Sequence, residues 1–286
     1  MTLAADLKTL RRDVYSQNGE DGVVEWVFGR IAPRHRVCVE FGAWDGRNLS
    51  NTFNLVAHHG WKAVYIEADP RKFEDLKKTA AAYPGIAPVC CRVAASGESS
   101  LDRILERQNI PDDFDLLSID IDGNDYDVWE AMTRFQPAMV IVEHNMSFPP
   151  ELKFIDRGGN AFMGSSAAAF TDLAARKGYG LLGSADANLF YLREPHFSAL
   201  GVTPQSVAAL DHQPACYVLF NYADEAVFSD PLPARKLRHV SYARRLKTWI
   251  RRLARVPTFY VLGDPHREGG PVLKFLRWIG SPPPRS

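Results

Sequence analysis

Residues 37–51 read VCVEFGAWDGRNLSN. Five residues, alternating apolar with one acid, run into glycine, three further residues and a second glycine; a polar stretch follows that leads into a helical pattern. The composition predicts a buried strand, a tight turn and a helix start. Gly42 can bring backbone close to a ligand and Gly46 permits a sharp turn. The pattern is neither G-x-G-x-x-G nor a Walker loop, since no Gly-Lys-Ser/Thr closes it. Glu40 and Asp45 would repel a pyrophosphate. They suit a cationic ligand, or one that presents hydroxyl and amino donors.

Working outward, short β-rich runs alternate with helical segments. Strands are expected at 36–41, 63–67, 87–94, 115–121 and 138–143, and helices at 50–59, 70–83, 99–108 and 125–135. Pro70 suits the first turn of its helix. Near-continuous apolar strands separated by helices predict a parallel sheet covered on both faces. In such sheets ligands sit beyond the carboxyl ends of the strands. Glu40 with Gly42, Glu67, Asp120 and Glu143 would therefore border one crevice. Glu67, about twenty residues beyond the glycine turn, is placed to accept hydrogen bonds from ribose hydroxyls. A polar loop at 151–165, a helix at 167–176 and two strands at 179–182 and 188–192 follow, the strands suited to an antiparallel edge. The chain divides into an N-terminal helical cover (1–35), the α/β domain (36–195) and an extension (196–286).

The stretch 116–127, LLSIDIDGNDYD, ends an apolar strand in four aspartates. A calcium loop counted from Asp120 needs glycine at its sixth position and glutamate at its twelfth, and finds Tyr126 and Ala131. Asp125 and Asp127 fall in the first turn of the next helix, where negative charge suits the dipole. Asp120 and Asp122 remain as functional candidates. The following strand ends VIVEHN, which brings Glu143 and His144 to the neighbouring tip. His144, then Asp122, is the candidate to take a proton from an acceptor hydroxyl, with Glu143 beside them. The same four residues, Asp120, Asp122, Glu143 and His144, form a candidate divalent site.

With 286 residues, 46% of them hydrophobic and 24% charged, the chain can bury one sizeable core. The formal charge is zero, yet the charged residues from 235 to 255 are all Lys or Arg, nine of them. Leu246, Trp249, Ile250 and Leu253 recur there at helical spacing, so 235–256 is expected as a basic amphipathic helix. That composition suits the surface of an anionic membrane better than sequence-specific binding to nucleic acid. The cysteines, 38, 90, 91 and 216, show no metal spacing and are expected reduced and mostly buried. No apolar leader follows Met1 and no run reaches a membrane span, so a cytoplasmic protein, peripheral to the inner leaflet at most, is expected.

EFGAWDG followed by YIEADP resembles motifs I and II of class I S-adenosylmethionine-dependent methyltransferases. The resemblance covers roughly residues 12–193. Upstream, YSQNGEDG (15–22) resembles the lead-in of FkbM-type sugar and natural-product O-methyltransferases. KGYGLL (177–182) and NLFYLR (188–193) resemble that group's closing strands. DIDGND resembles its DVEGAE segment, with Asp122 in place of the glutamate. The resemblance implies a Rossmann-like sandwich whose mostly parallel seven-stranded sheet has an antiparallel last strand, here with a mainly helical basic C-terminal extension. It implies S-adenosylmethionine held by Glu40, Gly42 and Asp45 at the methionine part and by Glu67 and Ala68 at the ribose, with Gln17 and Asp120 alongside. Some relatives also place Mg²⁺ at the tips of the fourth and fifth strands. This chain has His144 where they have aspartate, which suits Mn²⁺ better. The implied acceptor is a hydroxyl of a sugar or glycan, lipid-linked if the basic helix meets a membrane. A small natural product as acceptor, or a non-catalytic nucleoside-binding module, are the alternatives.

Overall fold

A computed structural model describes residues 7–121, 123–146, 148–157 and 164–210, and the backbone of 217–220, 226–228 and 260–262. The chain divides into two units, Met1–Asp211 and His212–Ser286.

The first unit is built on seven strands: β1 (Val37–Phe41), β2 (Lys62–Glu67), β3 (Ile86–Cys90), β4 (Leu116–Ile119), β5 (Met139–Glu143), β6 (Tyr179–Ala185) and β7 (Asn188–Arg193). Their order across the sheet is β3-β2-β1-β4-β5-β7-β6. Pairs among β1 to β5 are parallel, and β7 runs antiparallel to both β5 and β6. This is the sandwich that the resemblance implied, with the reversed strand inserted between β5 and β6.

Every residue of β1 is buried, as a central parallel strand requires. Alternation along the strands splits the core in two. Val39, Phe41, Leu117, Ile119, Val140 and Val142 face one side. There they meet Trp129 of α5 (Asp125–Ala131) and Phe170 of α6 (Ala167–Arg176). Cys38, Tyr65, Leu116, Met139 and Ile141 face the other. Val23 and Val27 of α1 (Glu20–Phe28) and Phe53 of α2 (Phe53–His59) pack on that side.

Helix starts follow local chemistry. Asp69 caps α3 (Pro70–Ala82) by accepting from the Arg71 amide at 2.8 Å, with Pro70 in the first turn. Ser166 caps α6. The sequence expectation for 99–108 shortens to α4 (Leu101–Arg107). A further helix, α7 (Glu194–Leu200), continues from β7 within the first unit and was not foreseen. Expected buried thiols are corrected at Cys90, which is exposed; Cys38 is buried.

In the second unit β8 (Tyr217–Phe220) pairs parallel with β10 (Tyr260–Leu262) and antiparallel with β9 (Ala226–Phe228). A mainly helical extension from residue 196 was anticipated; α7 runs into it, and the residues described in the second unit are strands. The basic stretch 235–256 lies outside the described residues, as does Cys216. No helix among the described residues is long and apolar enough to cross a membrane.

Candidate active site

Strand order reverses between β1 and β4, so their carboxyl ends part and leave a crevice at that point. Gly42, just past β1, has φ +81°, and a Cβ there would lie 1.7 Å from the Asp120 carbonyl oxygen. Glycine is required by the chain's own backbone at the tip of β4. The sequence reading had assigned that close approach to a ligand. Asp120 itself follows β4, half-buried, and its amide donates to Phe41 O at 3.3 Å.

Glu40 is buried and works inward. It accepts from Ser50 Oγ at 2.8 Å, Thr52 Oγ1 at 2.5 Å and the Asn51 amide at 3.4 Å. It thereby ties the end of β1 to the start of α2. Burial pushes its carboxyl up to about 7, against the pull of the Thr52 and Ser50 hydroxyls. Asp45 makes an Asx turn, accepting from the Arg47 and Asn48 amides at 3.0 and 2.8 Å. Glu67, buried at the end of β2, accepts from the Trp44 amide at 2.8 Å and the Asp69 amide at 2.7 Å. One carboxylate thus clasps both turns, and lone pairs remain on each oxygen. Ala68 beside it is exposed.

At the other side of the crevice Glu143 ends β5 and pairs in register with Asn188 of β7. His144 follows. Its amide and its Nδ1 both reach Ala187 O, at 2.8 and 2.6 Å. A carbonyl only accepts, so Nδ1 carries the proton and donates, and Nε2 keeps its lone pair. Burial pushes the imidazole down to about 4, so it is neutral at pH 7.

Asp122 lies outside the described residues. Asp125 is buried and accepts from the Ile121 and Gly123 amides, both at 2.9 Å, folding the post-β4 loop onto the start of α5. Asp127 pairs with Arg157 at 2.6 Å. Among the described residues no three His, Cys, Asp or Glu side chains gather as a metal set. His144 donates its Nδ1–H to a carbonyl, which leaves Nε2 as the ring atom able to meet a ligand or an ion.

Sequence reasoning missed what seats this half of the site. Asp21 accepts from the amides of Val14, Tyr15 and Ser16 at 2.8, 2.7 and 2.9 Å, coiling that segment ahead of α1. The neighbouring Glu20, wholly buried, accepts from Asn188 Nδ2 at 2.7 Å. Arg11 reaches Asp186 at 3.0 Å and Ser184 O at 3.1 Å. The N-terminal segment is therefore anchored on the β6–β7 hairpin beside Glu143 and His144, with Gln17 exposed on it. Polar Asn188 opening an otherwise apolar strand was the one available signal.

The polar atoms around this end of the sheet are chiefly acceptors. Asp21 Oδ1, Asn51 Oδ1 and Asn188 Oδ1 are buried with no hydrogen-bond partner, and the buried residues Glu20, Asp21 and Glu67 add carboxylates. Such a set fits a ligand rich in donors and positive charge, as the ribose hydroxyls, ammonium and sulfonium of S-adenosylmethionine are.

A mixed seven-stranded sheet in this order, with a glycine turn after β1 and an acid ending β2, is the class I methyltransferase fold. Residues 97–176, which hold the tips of β4 and β5, match the methyltransferase FkbM domain. No curated protein matches it. Solved structures to which it is similar include the CMeT domain of the citrinin polyketide synthase: 10% identity, 63% of this chain, 55% of that one, TM-score 0.41. The N-terminal domain of EvdMO1, solved with SAH and D-fucose, gives 11%, 62%, 82% and 0.42. An O-methyltransferase family protein from Burkholderia thailandensis gives 14%, 58%, 52% and 0.37. The chain thus spans about half the length of the first and third of these.

Proposed function

We propose that this protein transfers the methyl group of S-adenosylmethionine to a hydroxyl of a sugar or glycan. The observation that carries the reading is His144, held neutral at the tip of β5 with Nε2 open to accept a proton. Bound S-adenosylmethionine would supply an electrophilic methyl. Glu67 and Ala68 would hold its ribose, with Gly42, Asp45, Asp120 and Gln17 lining the remainder. Glu40 would act by keeping the turn closed. As the acceptor oxygen attacked that methyl in line, His144 Nε2 would take its proton, with Glu143 next to it in the chain. The Ala187 carbonyl keeps the ring oriented throughout, so no reorganisation is needed at the moment of transfer.

A sugar acceptor is the class most consistent with the FkbM-type features of residues 15–22 and 97–176. The basic stretch 235–256 would bring the enzyme to an anionic cytoplasmic leaflet, where such acceptors are lipid-linked. Calorimetry with S-adenosylmethionine and S-adenosylhomocysteine tests the foundation, and binding of neither would remove the proposal. Mass spectrometry of glycans from a strain lacking the protein should show one lost methyl group. Flotation with anionic liposomes tests the membrane part separately.

A further inference from the structure

Trp44 is out of place for a residue with only a structural task. It sits in the turn closed by the Gly46 amide donating to Ala43 O at 2.7 Å, with φ +48°, while the residue is 42% exposed. A bulky side chain in the left-handed region is disfavoured, and Gly or Asn would make the same turn without strain. Exposing an indole gains nothing from burial either. The backbone reason for the turn is met without the ring: the Trp44 amide donates to Glu67 Oε2, and Gly46 packs under Leu76 and Tyr65. What the ring does have is position. The Trp44 backbone amide is fixed to the carboxylate that ends β2, and the Lys72 ammonium stands 5.5 Å from the ring centroid.

We propose that Trp44 is a binding residue for the nucleoside of the adenosyl cofactor, its indole covering the ribose and adenine held by Glu67. This rests on the cofactor reading above and extends it to a residue of the glycine turn to which that reading gave no role. The carboxylate takes the ribose hydroxyls, and the ring beside it supplies an apolar, π-rich surface to the same nucleoside. Stacking of this kind on a base is sequence-tolerant and strong enough to measure by alanine substitution. The left-handed backbone is then the cost of pointing the indole outward over the crevice.

The test is calorimetry and tryptophan fluorescence on the full chain, with S-adenosylhomocysteine and plain adenosine as probes. W44A is expected to bind both probes at least about fivefold more weakly, about 1 kcal/mol. Adenosine must share the loss because the contact is to the nucleoside. W44F, which keeps a ring, should retain most of the affinity but lose the emission change that binding causes in the wild type, although five other tryptophans remain. W44A binding as well as wild type, or W44F giving the wild-type emission change, would overturn the inference while leaving the cofactor reading intact. Wild-type protein that binds neither adenosylhomocysteine nor adenosine would remove both.

Discussion

The two halves of the crevice are assembled by different means. At the tips of β1 and β2, Glu40, Asp45 and Glu67 take their donors from nearby chain: Ser50, Asn51, Thr52, Asn48, Trp44 and Asp69. At the tip of β5, His144 is set by Ala187, 43 residues on, and the adjacent Asn188 is bonded to Glu20, 168 residues back. The cofactor half closes on itself, whereas the reacting half exists only once β7 and the N-terminal segment have docked. Damage to the first should therefore cost binding and local stability, and damage to the second should cost chemistry.

The sharpest break is at His144. His144→Ala should lower turnover about 10²–10⁴-fold while leaving S-adenosylmethionine affinity at the wild-type value. Since burial holds the imidazole neutral down to about 4, its protonation should not remove activity near pH 6.5 as for an ordinary histidine. The rate attributable to His144 should persist to about pH 5 and fall below it. A stopped-assay pH profile with an acid limb at 6.5 would show the ring to be solvated. A fall in cofactor affinity equal to the fall in turnover would erase the division between the halves.

The next effect compares two glycines with left-handed backbones. At Gly42 a Cβ would overlap the Asp120 carbonyl, whereas at Gly60, φ +68°, it would meet nothing within 4 Å. Gly42→Ala should destabilise by about 3 kcal/mol or more, because two strand tips must separate. Gly60→Ala should cost only the conformational strain, about 1 kcal/mol. Urea midpoints measure both. Equal losses would mean that the β1–β4 junction can relax.

Glu67→Ala comes third. It leaves the Trp44 and Asp69 amides without their acceptor, at roughly 1–3 kcal/mol. Adenosyl cofactor affinity should drop about tenfold, some 1.4 kcal/mol. Retained affinity would confine Glu67 to bracing the turns.

These contrasts also explain what the sequence disclosed. The strands, their tip acids and the Pro70 helix start were legible because periodicity and first-turn preferences act within a few residues. The reversed order of β7 and β6 was only compatible with the late strand pair, since register is settled by contacts the sequence does not spell out. Glu40 looked outward because strand tips border ligands, yet its side chain is taken by hydroxyls ten and twelve residues on. The Glu20–Asn188 contact left only one trace, a polar Asn188 at the head of an apolar strand. Gly42 was recognised for its close approach, and the Asp120 carbonyl is the neighbour that already requires it.

The smallest effect separates Glu40 from the acids that would meet ligand. Its folded value, about 7, stands above the ordinary 4.5 because burial disfavours the charged form. The folded protein then holds this proton more tightly than the unfolded chain between those values. Stability from this group is complete below about pH 4.5 and is lost as pH rises through 7. A glutamine side chain at this position could not ionise and would keep one carbonyl for the Ser50 and Thr52 hydroxyls. Glu40→Gln should therefore reduce the stability lost between pH 5.5 and pH 8, by an amount on the order of 1 kcal/mol. Urea unfolding of both proteins at the two pH values measures it. Parallel losses would mean that Glu40 ionises freely, and that the turn after β1 is open enough to admit water or ligand to its carboxylate.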